Sequence, residues 1–424
     1  MKFLAVLILL AMSAAAEVKT LTLRQALDLA LTQNPDVMIA RLDQQKARDQ
    51  ILIARDPFLP KVIGGSGLAW SSGYPIAIDG NPPSIFEART QMSLFDRPQS
   101  FQIGQAKEGL RGAGIDVTKR QEEAAYRVAS LFLDAEQAAH SLASAQKQIE
   151  NLGRVKELID ARVEEGRELP LASKKANLSV LIARNSAERL AVNLINAETM
   201  LAQALGLGAD DRVRAAQEER TAIALPISED ASIEEALEHS PDLRRLESNM
   251  QVKTLEIKGF HAARLPKVNV IAQENIFAKY NYVNYNFSFR RSNTELGVSI
   301  EMPLLVGRSS QAFAAQAEAE VAKLRIEVGR TRSRITADLR RAYQEVKSAE
   351  SARELTRADL EVTREELNVD LAQYGEGKLP LARVEAMRAI ENEKFLVYYV
   401  SQQGAERARL NVLRLTGTLL AALK

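Results

Sequence analysis

The chain has 424 residues, 46% hydrophobic and 26% charged, with 56 Lys and Arg against 55 Asp and Glu. A net charge of +1 leaves no electrostatic footprint for a polyanion, so nucleic acid is not an expected partner. The absence of cysteine excludes thiol catalysis, Cys-ligated zinc, iron–sulfur clusters, disulfides and a lipid-modified N-terminal Cys, and three scattered histidines (His140, His239, His261) make no metal site.

At the N-terminus, Met1-Lys2 is a short basic start and Phe3 to Met12 an apolar run. Ser13-Ala-Ala-Ala16 then offers small residues for cleavage before Glu17. This is the layout of a secretory signal peptide (residues 1–16), too short for a bilayer span of roughly 20 helical residues. No later segment approaches the roughly 18 uninterrupted apolar residues of a spanning helix. An exported chain of this kind is periplasmic, secreted or an outer-membrane β-barrel.

The mature chain reads as two copies of one unit. Thr22-Leu-Arg-Gln25 and Ser232-Ile-Glu-Glu235 are both capping boxes, 210 positions apart. Asn34-Pro35-Asp36 and Ser240-Pro241-Asp242 follow at an offset of 206, as do Leu59-Pro60-Lys61-Val62 and Leu265-Pro266-Lys267-Val268. From Leu94 and Leu304 the offset returns to 210, through Leu169-Pro170 and Leu379-Pro380. The second copy is therefore expected to lose about one helical turn early and to regain four residues between its strands. The boundaries read as 17–206 for the first repeat, 207–231 for a linker and 232–424 for the second repeat with a short tail.

Each copy is expected to run short helix, β-hairpin, very long helix, break and return helix. No proline falls between Pro98 and Pro170 or between Pro303 and Pro380, and some 60 helical residues reach about 90 Å. Val128, Ala135, Leu142 and Ile149 recur every seven residues, with Leu131, Ala138, Ala145 and Leu152 as companions, the seam of a left-handed coiled coil. The return helix repeats it at Val180, Ala187, Leu194 and Leu201. In the second copy Leu355, Val362, Val369 and Leu360, Leu367, Tyr374 make two separate stripes, the pattern of a helix with neighbours on both sides. Gly104, Gly109, Gly112 and Gly114 predict irregular first turns in the first long helix.

In the second strand of each hairpin the alternation is clean. Phe86, Ala88, Thr90, Met92 and Leu94 take one side, and Glu87, Arg89, Gln91 and Ser93 the other. Leu296, Val298, Ile300, Met302 and Leu304 likewise oppose Glu295, Gly297, Ser299 and Glu301. Each run has about the ten residues that a tilted strand needs to cross a bilayer, with one face for lipid and one for a wet lumen. Glu87, Arg89, Gln91, Glu295, Ser299 and Glu301 are the candidate lumen residues. The first strands, Lys61–Trp70 and Lys267–Phe277, alternate less clearly. Phe277, Tyr280, Tyr282, Tyr285, Phe287 and Phe289 crowd one stretch, as in an interfacial aromatic girdle. Four strands cannot close a barrel, whereas three chains would supply twelve, within the bacterial range of roughly 8 to 26.

The repeated order of elements, Asn34-Pro35-Asp36, Ser93-Leu94-Phe95-Asp96 at the strand-to-helix passage, and the helix breaks at Gly166 and Gly377 resemble the TolC-like outer membrane efflux protein family over residues 20–420. The resemblance implies a mainly α fold with β: duplicated long-helix hairpins forming an α-barrel tunnel, and four β-strands contributing to a trimeric 12-stranded outer-membrane β-barrel. It implies an equatorial belt including Leu207–Ala231, and a homotrimer in outer-membrane lipid with a long periplasmic extension. Its partners would be a periplasmic adaptor (membrane fusion protein) and an inner-membrane pump, in efflux or type I secretion. Adaptor contact would fall on the tips, at Gly166, Arg167, Leu169, Pro170, Gly377, Lys378, Leu379 and Pro380. The family's gating aspartates lie just beyond the second tip, where this chain has Arg383 and Ala386. Two readings of the candidate gate stay open: Glu385 replaces the aspartate, or Arg383 pairs with an acid of a neighbouring chain.

Catalysis finds no motif. Gly64-Gly-Ser-Gly67 lacks the Gly-Lys-Ser/Thr ending of a phosphate loop, and no Gly-x-Ser-x-Gly elbow occurs. No cofactor is expected, and transport energy would come from a partner. The expected function is a passive outer-membrane conduit. The alternative is a soluble periplasmic coiled-coil scaffold or adaptor.

Overall fold

The computed structural model describes residues 18–67, 84–208, 210–216, 225, 228–277, 292–304 and 307–423. The expected signal peptide, the end of the first strand at Trp70 and the aromatic run from Tyr280 to Phe289 lie outside the described residues. The chain opens with β1 (Val18–Leu21), α1 (Leu23–Gln33), α2 (Pro35–Arg55), a 3-10 turn at Asp56–Phe58, β2 (Lys61–Gly67) and β3 (Ser84–Phe95). The long helix α3 (Arg97–Glu164), the return helix α4 (Pro170–Ala204) and β4 (Arg212–Ala215) follow. A similar order comes again in α5 (Glu229–His239), α6 (Pro241–Ala262), β5 (Lys267–Phe277), β6 (Ser292–Glu301), α7 (Ser309–Gly375) and α8 (Leu381–Thr416), before a short α9 (Leu419–Leu423). The residues group into two compact units. One takes the chain up to Ala40, Val117–Pro241 and Arg332 onward, the other Arg41–Asp116 and Asp242–Thr331.

Local sequence decides where the helices begin. The Thr22 hydroxyl accepts the Gln25 N–H at 3.2 Å while the Gln25 side chain accepts the Thr22 N–H at 3.0 Å, the reciprocal box expected there. Ser232 does not form the second box. Helix α5 starts a turn earlier, capped by Ser228, whose hydroxyl accepts the Ala231 N–H at 3.2 Å. Glu229 and Asp230 then sit in the first turn, where the positive end of the helix favours acids. Ser232 is left inside the helix, buried, and shares a 2.5 Å hydrogen bond with the Tyr343 hydroxyl. Thr22 thus corresponds to Ser228, at the same offset of 206 as the prolines, and α1 and α5 both have 11 residues. The second copy loses no helical turn at its start.

Helix α3 shows none of the irregularity expected at its glycines and runs unbroken for 68 residues from Arg97. Three of those glycines make room for neighbours. A Cβ on Gly112 would stand 2.0 Å from Nη1 of Arg245, one on Gly104 3.3 Å from Leu255, and one on Gly114 3.2 Å from the Gln44 amide. Packing against α2 and α6 therefore outweighs a propensity loss of about 1 kcal/mol per glycine. The heptad stripes are filled on α3 and α4, where Val128, Ala135, Val180, Ala187 and Leu201 are buried. On α7 the stripes part: Leu360 is buried, whereas Leu355, Val362 and Val369 face outward.

The first unit has one main apolar cluster, in which Leu27 of α1, Phe132 and Leu133 of α3, Leu201 of α4, Leu410 of α8 and Leu419 of α9 meet. Strand β1 pairs in parallel with β4, and Val213 joins that cluster. Asn34 holds the corner between α1 and α2, donating to the Ala204 carbonyl at 2.7 Å and accepting the Asp36 N–H at 2.9 Å. Glu198 is buried on α4 and accepts from Nε of Arg214 on β4 at 2.9 Å.

Glu122 of α3 is buried and accepts the backbone N–H of Leu420. Burial pushes its carboxyl up to about 7, and the Leu420 hydrogen bond draws it back only in part. Because the folded pKa lies above the ordinary value of 4.5, the fold favours the protonated form. Its contribution is whole below pH 4.5 and is lost as pH rises to about 7. Glu122→Gln should therefore stabilise the protein by up to about 3 kcal/mol at pH 8 and by almost nothing at pH 4.5. Denaturant unfolding in detergent at both pH values checks this.

Candidate channel wall and helix tips

In the second unit the strands form one antiparallel sheet, in the order β2-β3-β5-β6. The register sorts its side chains into two faces. Phe86, Thr90 and Met92 of β3 oppose Ile276, Ala272 and Val270 of β5, and Ala272, Val270 and Val268 oppose Leu296, Val298 and Ile300 of β6. On the other face Glu87, Arg89 and Gln91 oppose Asn275, Gln273 and Ile271, while Glu295, Ser299 and Glu301 oppose Gln273, Asn269 and Lys267. All six candidate lumen residues therefore share one face.

The exposure of this sheet is inverted relative to that of a water-soluble one. Leu296 is 79% exposed, Ile300 70% and Val298 62%, whereas Asn269, Gln273 and Asn275 are between 4% and 7%. Those buried amides are satisfied on their own face. The Gln273 amide donates to Glu87 Oε1 and Asn275 Oδ1 at 3.1 Å each, and Ser93 donates to Asn269 Oδ1 at 2.9 Å. The weak alternation of β5 has two causes. Ile271 stands on the polar face opposite Gly297, and Glu274 stands on the apolar face, held by the hydroxyls of Ser292 and Thr294. Strands β2 and β6 each have one partner among the described residues, which leaves two open edges.

The two helix tips, both in the first unit, are built alike. Gly166 (φ +69°) and Gly377 (φ +70°) take the left-handed conformation that ends a helix. Their N–H groups reach the carbonyls of Val163 at 3.0 Å and Tyr374 at 2.9 Å, and the next N–H groups, of Arg167 and Lys378, reach those of Arg162 and Gln373 at 2.8 and 2.9 Å. This double bond pattern satisfies carbonyls that the end of the helix leaves open. Leu-Pro then restarts the chain, with Pro170 in the first turn of α4 and Pro380 just before α8. Leu169 is 71% exposed and Pro170, Arg167 and Lys378 are exposed with it, while Leu379 is half-buried.

Beyond the second tip, the candidate gate residues both have partners in their own chain. Nε of Arg383 lies 3.5 Å from Asp370 of α7, and Arg388 donates to Glu385 Oε1 at 2.8 Å. Glu385 Oε2 is buried without a hydrogen-bond partner. A cleft of about 580 Å³ here is lined by His140 and Lys147 of α3, Arg364 of α7, and Glu385, Arg388 and Phe395 of α8. The Arg383–Asp370 pair is the first rung of a ladder between α7 and α8 that no linear pattern announced. Arg364 reaches Glu391 at 2.8 Å, Asp359 reaches Lys394 at 2.7 Å, and Glu350 reaches Arg409 at 2.5 Å. Partly exposed pairs are worth about 0–1 kcal/mol each, so the ladder sets helix register more than stability.

The model of the outer membrane efflux protein family matches residues 26–207 and 232–417. The chain belongs to this family, whose members are channels rather than enzymes. Its fold is that of solved membrane proteins. A membrane protein from Pseudomonas aeruginosa superposes with a TM-score of 0.72 at 16% identity, over 93% of this chain and 92% of that one. The Campylobacter jejuni CmeC outer membrane channel gives 0.72 at 12%, over 94% and 86%. The Neisseria gonorrhoeae MtrE outer membrane channel, solved in its open state, gives 0.65 at 16%, over 95% and 88%. No curated protein matches the chain.

Nothing stands within 4 Å of a Cβ built on Gly166 or Gly377, so alanine there meets only backbone strain. Gly166→Ala and Gly377→Ala should each weaken their turn by about 1–2 kcal/mol. The Arg167 and Lys378 amides should then exchange roughly 5- to 30-fold faster, as read by hydrogen-exchange mass spectrometry.

Proposed function

We propose that this protein is the outer-membrane channel of an assembly that carries substrates from an inner-membrane pump, through a periplasmic adaptor, to the exterior. Three copies would join their four-stranded sheets into a 12-stranded barrel, with Glu87, Arg89, Gln91, Glu295, Ser299 and Glu301 toward the lumen. The repeats at 17–206 and 232–424, joined by the link 207–231, would each supply one helical hairpin per chain to a periplasmic tunnel. The tips at Gly166–Pro170 and Gly377–Pro380 would receive the adaptor. Arg383 and Glu385 would hold the entrance closed through Asp370 and Arg388 until the helices repack. With no nucleotide motif in the sequence, the driving energy is assigned to the pump.

The inverted sheet with two open edges is the observation that carries this reading. In water, its exposed Leu296, Val298, Ile300 and Met302 would be a liability. In lipid, its unpaired backbone groups would each cost several kcal/mol unless another copy met them. Partnered in a bilayer, it satisfies both demands. The purified mature protein should run as a heat-modifiable trimer and give discrete conductance steps in planar bilayers. A water-soluble monomer released by osmotic shock would instead indicate the periplasmic scaffold. If the gate assignment holds, Arg383→Ala and Asp370→Asn should raise conductance alike, because each breaks the same pair. Unchanged steps in both variants would remove that assignment while leaving the channel in place.

A further inference from the structure

The apolar face of the sheet changes character at one row. From Val268 and Ile300 through Val270 and Val298 to Ala272 and Leu296, each opposed pair of β5 and β6 on that face is apolar. The next pair is Glu274 and Thr294, with Ala88 of β3 on the other side of Glu274. Among the described strand residues, Glu274 is the one charged side chain that the register puts on this face. Each of its oxygens accepts a hydroxyl, Oε1 that of Ser292 and Oε2 that of Thr294, which suits a carboxylate. No cation among the described residues pairs with it. Beyond it, Phe86, Ile276 and Ser292 make a mixed row.

A charged side chain that faces acyl chains is costly at mid-depth and nearly free at the interface, so its row marks where the hydrocarbon can end. The length agrees. From Thr294 to Leu304 are ten positions, about 33 Å of extended chain and about 25 Å of height at the usual strand tilt, the thickness of an apolar band. Leu296, Val298, Ile300, Met302 and Leu304 fill that height, and all five are strongly exposed. We propose that the row of Ala88, Glu274 and Thr294 is the outer limit of the hydrocarbon on this sheet, and that Glu274 fixes the depth at which the sheet sits by keeping its carboxylate in the polar headgroup layer. Phe86 and Ile276 then lie at the level where interfacial side chains collect. Leucine in place of Glu274 would join these two to the apolar band and remove the stop. The inference rests on the membrane reading proposed above and adds which row meets the headgroups, and through which residue.

The chain has no cysteine, so single cysteines can carry a nitroxide without competing thiols. Ala88→Cys, Thr294→Cys and Val298→Cys are labelled in the full mature chain, reconstituted into phosphatidylcholine vesicles. Electron paramagnetic resonance then compares two relaxing agents, oxygen and a water-soluble nickel chelate. The ratio of oxygen to nickel accessibility should be about tenfold higher at Val298 than at Ala88 or Thr294. Adding Glu274→Leu should move the Ala88 label toward oxygen by several-fold while the Val298 label stays in oxygen, which excludes a sheet that has simply come apart. Adding Glu274→Asp, which keeps the charge, should leave the Ala88 label where it was. Labels at Ala88 and Thr294 as rich in oxygen as the one at Val298 would overturn the boundary. An Ala88 label that ignores Glu274→Leu would overturn the role given to Glu274. A Val298 label open to nickel would contradict the membrane reading itself, so the failures are distinct.

Discussion

A β-sheet that exposes its apolar face and buries its amides cannot be stable alone in water or in lipid, and the rest of the structure depends on that constraint. The backbone groups along the free edges of β2 and β6 need hydrogen-bond partners, and Leu296, Val298 and Ile300 need a hydrocarbon surface. The described residues of one chain supply neither. The long helices raise the same demand in another form, since α4 and α7 each fill one stripe internally and leave another open. Strands and helices thus both leave surfaces that the described residues of one chain do not cover.

Within the chain, stability comes from a different place. The first unit's cluster around Phe132, Leu133 and Leu201 is closed by residues of α1, of α9 and of the paired strands β1 and β4. Asn34 and the buried Glu198 tie its loops by hydrogen bonds. This closed region is where a protomer holds its own shape. The tips are lean by contrast: a left-handed glycine, a paired carbonyl pattern and a restarting proline, with the side chains around them mostly open to solvent. Few internal contacts leave such turns at the low end of local stability.

Much of this was legible in the sequence because the periods involved are short. The 2-residue alternation of β3 and β6, the 7-residue stripes and the Gly/Leu-Pro breaks are local signals, and the structure keeps each. What was not legible depends on pairing across the fold. Ser232 carried a capping signature as good as that of Ser228, and only the position of Tyr343 shows why it is used inside the helix. The glycines near the start of α3 read as weakness because Arg245 and Leu255, which fill the space they leave, are more than a hundred residues away. The partners of Arg383 and Glu385 could not be read from the stretch that holds them, since Asp370 lies on the preceding helix.

The most direct measurement is amide hydrogen exchange at the outward-facing N–H groups of β2 and β6 in protein reconstituted into lipid nanodiscs. Strands joined to neighbouring copies would protect both edges as strongly as the interior pairing of β3 with β5. Free exchange along both edges, in a chain that keeps its helices protected, would show that no second copy meets them and would contradict the account.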